Sequence, residues 1–249
     1  MNLYEEPPKR YSLNNSETSS DEYSSENESS KEDKVKKNIS SCKIESVNSF
    51  PNGVENVIIA SELFLDILKM FPGENTSQVL FKFTGNKSIV LLSNSNISLY
   101  SIIFPNNIPP EMCYHLSSYI FDHLEFKRIF LLATIFQWSV FSPVSFLRTT
   151  SSSFQIDDKL CPLLRPPALL SGMEASILSL CEQRNLDAIA IVASSNGPSA
   201  HLRISTEIAE QVANILDQLI GNGNFGLKAA LCNYNIYIKK RTNVLSMYL

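Results

Sequence analysis

The sequence predicts an α/β fold, a layered α/β/α-type domain with a mostly buried sheet, preceded by a disordered acidic Ser-rich tail. Three observations carry this expectation. Apolar runs of strand length recur between segments of helical periodicity, the pattern of packed α/β layers. Two of the runs, Ile129–Ile135 and Asp187–Val192, lack the alternation of a half-exposed strand and call for cover on both faces. Composition also changes near residue 50: residues 1–50 hold 12 Ser and ten acidic residues against seven basic ones, with few large apolar side chains. Such a segment cannot bury enough apolar area to offset its ordering entropy. The expected organisation is a Ser/Glu-rich tail over 1–50, an α/β domain over 51–240 and a C-terminal segment over 241–249.

Ser61–Phe71 reads as a helix with Phe64, Ile67, Leu68 and Phe71 on one face, stopped by Pro72-Gly73. Gln78–Phe83 and Ser88–Leu92 are short apolar runs around Gly85-Asn86, a hairpin signal. Ile97–Ile103 is a third strand. Pro109-Pro110 opens a helix whose Cys113, Leu116, Ile120 and Leu124 share a face, and Ile129–Ile135 follows as a central strand. Ser171-Gly-Met-Glu174 has the spacing of a capping box, starting a helix with Met173, Ile177, Leu180 and Cys181 inward. Asn185 marks its stop and Asp187–Val192 is the next strand. Ser205 caps a last helix striped by Ile208, Val212, Ile215, Leu216 and Leu219.

Composition excludes several functions. The chain has 249 residues, 21 Lys+Arg against 25 Asp+Glu and a formal charge of −4, so it lacks the basic excess of a nucleic-acid binder. Its five cysteines (42, 113, 161, 181 and 232) are odd in number and widely spaced, with no CxxC. That spacing fits reduced thiols rather than a disulfide framework or a zinc site. The acidic N-terminus has no apolar signal region, and six Asn-x-Ser sequons reflect an Asn- and Ser-rich composition. The expected location is cytoplasmic, with the nucleus as a second option. Ile129–Leu147 is uncharged and long enough to span a bilayer. Its Thr134, Gln137, Ser139, Ser142, Pro143 and Ser145 favour a buried strand instead.

Local motifs give no catalytic signature. Gly221-Asn-Gly-Asn-Phe-Gly226 matches G-x-G-x-x-G, but it follows a helix where the dinucleotide fingerprint must follow a strand. Gly221 reads better as a left-handed helix terminator. His115 and His123 lie eight apart on one helix without metal-ligand neighbours, and His201 stands alone. Cys161 and Cys181 occupy apolar contexts without a basic residue to favour the thiolate. Trp138 has the context of a core residue. No catalytic residue, cofactor site or metal site is expected. The last three residues, Met247-Tyr248-Leu249, form a hydrophobic-Tyr-X end after Lys239-Lys240-Arg241. A terminal carboxylate with such neighbours suits capture in a pocket on a partner.

Cys161-Pro-Leu-Leu164-Arg-Pro-Pro167, then Ile177-Leu-Ser-Leu-Cys181 and Ala188-Ile-Ala-Ile-Val-Ala193, with Ser142-Pro-Val-Ser-Phe-Leu147 before them, resemble the proteasome assembly chaperone 1 family. The similarity runs over roughly residues 140–216 and the C-terminus. It implies a non-enzymatic chaperone of α/β fold, heterodimeric with proteasome assembly chaperone 2, seated on the α-subunit ring of the proteasome core particle. It also implies that the Leu249 carboxylate pairs with a lysine between neighbouring α subunits while Tyr248 and Met247 fill the pocket there. Two rivals remain: a nucleoside-phosphorylase-like α/β enzyme, because fold alone does not settle function, and a membrane-associated protein spanning 129–147.

Overall fold

The run Val57-Ile-Ile-Ala60 forms the middle of a strand, Val54–Ser61, that the periodicity of the sequence did not single out. The computed structural model describes residues 45–46, 54–72, 75–83, 87–94, 99–136, 142–195, 204–221, 223–227 and 229–232. Within them the strands are β1 (Glu45–Ser46), β2 (Val54–Ser61), β3 (Asn75–Phe83), β4 (Lys87–Asn94), β5 (Leu99–Phe104), β6 (Phe126–Phe136), β7 (Val144–Arg148) and β8 (Asp187–Ser195). The helices are α1 (Leu65–Leu68), α2 (Pro110–His123), α3 (Gly172–Gln183) and α4 (Thr206–Gly221).

The strands make one mixed sheet in the order β1-β3-β4-β5-β2-β6-β8-β7. β5, β2, β6 and β8 run parallel in its centre. The β3–β4 and β4–β5 pairs are antiparallel on one side, and β7 returns antiparallel to β8 on the other. The expected hairpin is therefore present, with its Gly85-Asn86 turn outside the described residues. The Ser61–Phe71 helix is shorter than expected. Ser61 still belongs to β2, a 3-10 turn covers Glu62–Phe64, and only Leu65–Leu68 is α-helical. Its inward face is as predicted, since Phe64, Ile67, Leu68 and Phe71 are all buried.

Alternate residues of the central strands serve two cores, which is why those strands are apolar throughout. Val57, Ile59, Leu131 and Val192 pack with α2 and α3 on one face. Ile58, Phe130, Leu132 and Ile191 pack with α1 and α4 on the other. This is the α/β/α layering the sequence predicted. Ile129–Leu147 is no single span: its first part lies in β6 and its last part in β7, which sit on opposite sides of β8 in the sheet. No helix among the described residues is long and apolar enough to cross a membrane.

Two helix termini differ from expectation. Ser171 occupies the N-cap position of α3 but makes no capping hydrogen bond. Gly172 takes a φ of 66°, a left-handed turn that carries the exposed Ser171 out of capping-box geometry. Gly221 is the last residue of α4 rather than a left-handed terminator; the positive φ falls on Gly223 and Gly226. Gly221 is glycine for a different reason, because a Cβ there would lie 2.5 Å from the Phe225 ring and 2.8 Å from Asp217 Oδ1. The remaining signals hold: Asn185 has a φ of 54° past the end of α3, and Ile208 N–H donates to Ser205 Oγ at 3.3 Å.

Candidate functional site

The Cys161-Pro-Leu-Leu164 turn wraps the free edge of the sheet. Phe146 on β7 donates its N–H to Pro162 O at 2.9 Å, and Leu164 donates its N–H to Phe146 O at 2.8 Å. The segment thereby meets an edge strand that would otherwise offer unpaired backbone groups to other chains. The turn also links the two cores. Cys161 is fully buried among the residues of the α4 face, whereas Leu164 belongs to the α2–α3 face. Asp157 shapes the approach: Lys159 donates its N–H to Asp157 Oδ1 at 2.9 Å, and Asp157 O accepts from Leu160 and Cys161 at 2.9 and 3.1 Å.

This arch leaves leucines facing outward. Leu160, Leu163 and Leu169 are exposed large apolar residues, Leu169 to 82%. Leu163 and Pro162 border a groove of about 530 Å³ whose lining also includes Ser142, Ser145 and Pro166, with Arg165 as its one charged side chain. An apolar, rigidly held surface of this kind can bind a protein by contact and desolvation. In the sequence, Cys161–Pro167 carries the resemblance, but nothing there marks its leucines as a surface beyond their place as a pair inside a proline-flanked turn.

Met247, Tyr248 and Leu249 lie outside the described residues, as do Lys239–Arg241, Trp138, His201 and Cys42. Cys161 and Cys181 are buried thiols, and burial pushes each up to about 12. Burial also raises Cys113, with Glu174 and then Glu111 adding to the effect. His115 and His123 are exposed on α2; the His123 ring stacks on Tyr119 with centroids 4.0 Å apart, and its Nδ1 lies 2.8 Å from Tyr119 O. Asp122 pairs with Arg184, the residue that caps the C-terminus of α3, at 2.6 Å. Among the described residues no three His, Cys, Asp or Glu gather to hold a metal.

The glycine-rich loop after α4 is closed to phosphate by a residue of its own helix. Asp217 accepts N–H bonds from Phe225 and Gly226 at 2.8 Å and from Leu227 at 3.3 Å. A carboxylate thus occupies the amide cradle that an anion would need. The G-x-G-x-x-G spelling serves a helix-to-loop junction packed by Phe225 against Phe71.

Solved structures share this fold. Pyrococcus furiosus PbaA, an archaeal homolog of proteasome-assembly chaperone, is 11% identical over 82% of this chain and 92% of its own, with a TM-score of 0.55. Pyrococcus furiosus PbaB, an archaeal proteasome activator, is 10% identical over 83% and 99%, with a TM-score of 0.52. A protein of unknown function from Thermoplasma acidophilum is 12% identical over 80% and 92%, with a TM-score of 0.50. At such identities the likeness is one of fold. No curated protein matches the sequence. The family model of the POC1 chaperone matches residues 87–249, a stretch that begins well before the resemblance visible by motif. It spans α2, the Cys161 arch and the C-terminal residues, and the chain belongs to the POC1 chaperone family.

Proposed function

We propose that this chain is a non-enzymatic proteasome assembly chaperone of the proteasome assembly chaperone 1 type. It works as a heterodimer with proteasome assembly chaperone 2 on the α-subunit ring of the core particle, where it promotes correct ring assembly. The observation that carries this reading is the family match over residues 87–249, to which the fold shared with PbaA adds support. Met247, Tyr248 and Leu249 dock between adjacent α subunits, with the Leu249 carboxylate paired to a lysine there. Leu160, Leu163 and Leu169 supply apolar contact from the folded domain, whose exposure of these side chains suits a partner surface. The site of action is the cytoplasm, extending to the nucleus.

The test uses an N-terminal tag, which leaves the C-terminal carboxylate free, and identifies what co-purifies from native cells. Proteasome α subunits together with a second chaperone-sized protein are the expected result. Recovery of neither overturns the reading.

A further inference from the structure

The parallel strands of an open α/β sheet end in a crevice at their C-terminal edge, the usual place for a small ligand in such folds. Here that crevice is a cavity of about 200 Å³. Its walls come from the ends of all four central parallel strands: Phe104 of β5, Ser61 of β2, Thr134 of β6 and Ser195 of β8. The first turn of α3 closes it with Met173 and Glu174. Of its lining residues only the exposed Leu169 enters the chaperone reading, and the cavity's polar groups stand apart from that reading.

Three polar groups make it more than a packing gap. Ser61 is only 2% exposed, and its hydroxyl has no hydrogen-bond partner among the described residues. Native interiors rarely leave a buried hydroxyl orphaned, and a bound molecule is one way of satisfying it. Glu174 is partly buried at the N-terminal end of α3, where a carboxylate is favoured by the helix dipole, yet burial raises its carboxyl to about 7. It therefore accepts hydrogen bonds when ionised and can donate one when protonated. Ser195 donates its hydroxyl to Ile135 O at 3.1 Å and retains acceptor capacity.

The lining also states what does not bind. Among the described residues it contains no Lys, Arg or His, and the one ionisable side chain there is acidic. The Cys113 thiol on α2 lies within electrostatic range of Glu174 and is itself raised above its ordinary value, first by burial and then by Glu174. Among those residues an anion would meet no cation, and it would be repelled whenever Glu174 is ionised. Leu63, Ile108, Ile135 and Met173 add apolar wall, suited to the C–H face of a ring. The volume is below the 300 Å³ or so at which drug-sized pockets begin. We propose that the crevice bounded by Ser61, Ser195 and Glu174 binds a neutral, polyhydroxylated small molecule of about monosaccharide size. Each ligand hydroxyl can donate to Glu174 or Ser195 and accept from Ser61, while its ring rests on Ile135 and Met173.

Methionine provides the test, because the chain has only five, and Met173 lines the cavity while Met70 lies on the opposite face of the sheet. The full chain is labelled with 13C at the methionine methyl groups and titrated with D-ribose, with myo-inositol and, separately, with inorganic phosphate at matched ionic strength. A saturable shift of the Met173 methyl with either neutral probe, with Met70 unmoved and no response to phosphate, is the expected result. Ser61→Ala and Glu174→Gln each weaken that response roughly tenfold while leaving the Met70 resonance in place. The proposal is overturned if neither neutral probe shifts Met173 at concentrations up to tens of millimolar. It is equally overturned if phosphate produces the shift, or if both variants respond as the parent does.

Discussion

The Asp217 carboxylate accepts the N–H of Gly226 at 2.8 Å and thereby fastens the loop after α4 back onto the helix that precedes it. Asp217 is 7% exposed and takes further N–H bonds from Phe225 and Leu227, so three backbone donors depend on one side chain. Asp217→Ala leaves them without that partner in a partly buried junction. The expected cost is about 2–4 kcal/mol, the sum of lost charge-assisted bonds and orphaned donors. Urea unfolding of the variant should show its midpoint lowered at an unchanged slope, and a midpoint equal to the parent's would refute the role. Gly221→Ala should destabilise too, since its Cβ would overlap the Phe225 ring.

Burial that pushes the Cys161 and Cys181 thiols up to about 12 leaves almost no thiolate at neutral pH. Both side chains are also fully enclosed. Brief treatment of the native protein with iodoacetamide should leave both unmodified, and denaturation should expose them together. Mass spectrometry of the alkylated peptides reads this directly. Modification of Cys161 at the rate of a free thiol would show that the arch opens readily and that the sheet edge beneath it is accessible.

Glu174 makes stability depend on pH in an unusual direction. Its carboxyl is raised from 4.5 to about 7, so between those values the folded chain keeps a proton that the unfolded chain has released. Where the folded state binds more protons, stability falls as pH rises. The contribution is fully present below about 4.5 and is lost as pH passes through about 7. Glu174→Gln removes this titration, and its stability relative to the parent should rise across that window by roughly 2–3 kcal/mol. Thermal or urea unfolding at several pH values measures it. A constant difference between variant and parent would mean that the carboxyl titrates normally.

How far the sequence exposed these features depends on how local they are. The faces of α2, α3 and α4 follow from spacing alone, because i, i+3 and i+4 neighbours share a helix side whatever they pack against. The doubly covered strands β6 and β8 betray themselves by continuous apolar runs. β2 has the same run, but its final Ser61 borders a segment with helical spacing, and the helix signal absorbed the boundary. Its insertion between β5 and β6 is a non-local pairing that no pattern within Val54–Ser61 encodes. The Cys161 turn is visible as a motif, whereas its wrapping of the β7 edge depends on backbone pairing with Phe146, which the spelling of neither segment encodes. The Ser61 crevice was invisible, since its walls come from four strands and a helix with no shared spacing. Gly221 was misassigned because helix-terminating and clash-avoiding glycines look alike until Phe225 and Asp217 are placed beside them.

The proposed docking mode separates two sources of binding energy. A terminal carboxylate paired with a buried lysine is a charge-assisted contact, and removing one partner of such a pair costs about 2–5 kcal/mol. Deleting Met247–Leu249 should therefore weaken capture of α-subunit rings strongly, while urea unfolding of the folded domain stays unchanged. Adding one residue after Leu249 should do the same, because it displaces the carboxylate without removing Tyr248. Leu163→Asp tests the folded face: Leu163 is 49% exposed, so the change should cost little stability yet reduce recovery of the partner chaperone. If the deletion leaves ring binding intact and Leu163→Asp abolishes it, the binding energy resides in the Cys161 arch and the tail model fails. If the deletion abolishes ring binding and the partner chaperone is still recovered, the tail and the folded domain serve different partners.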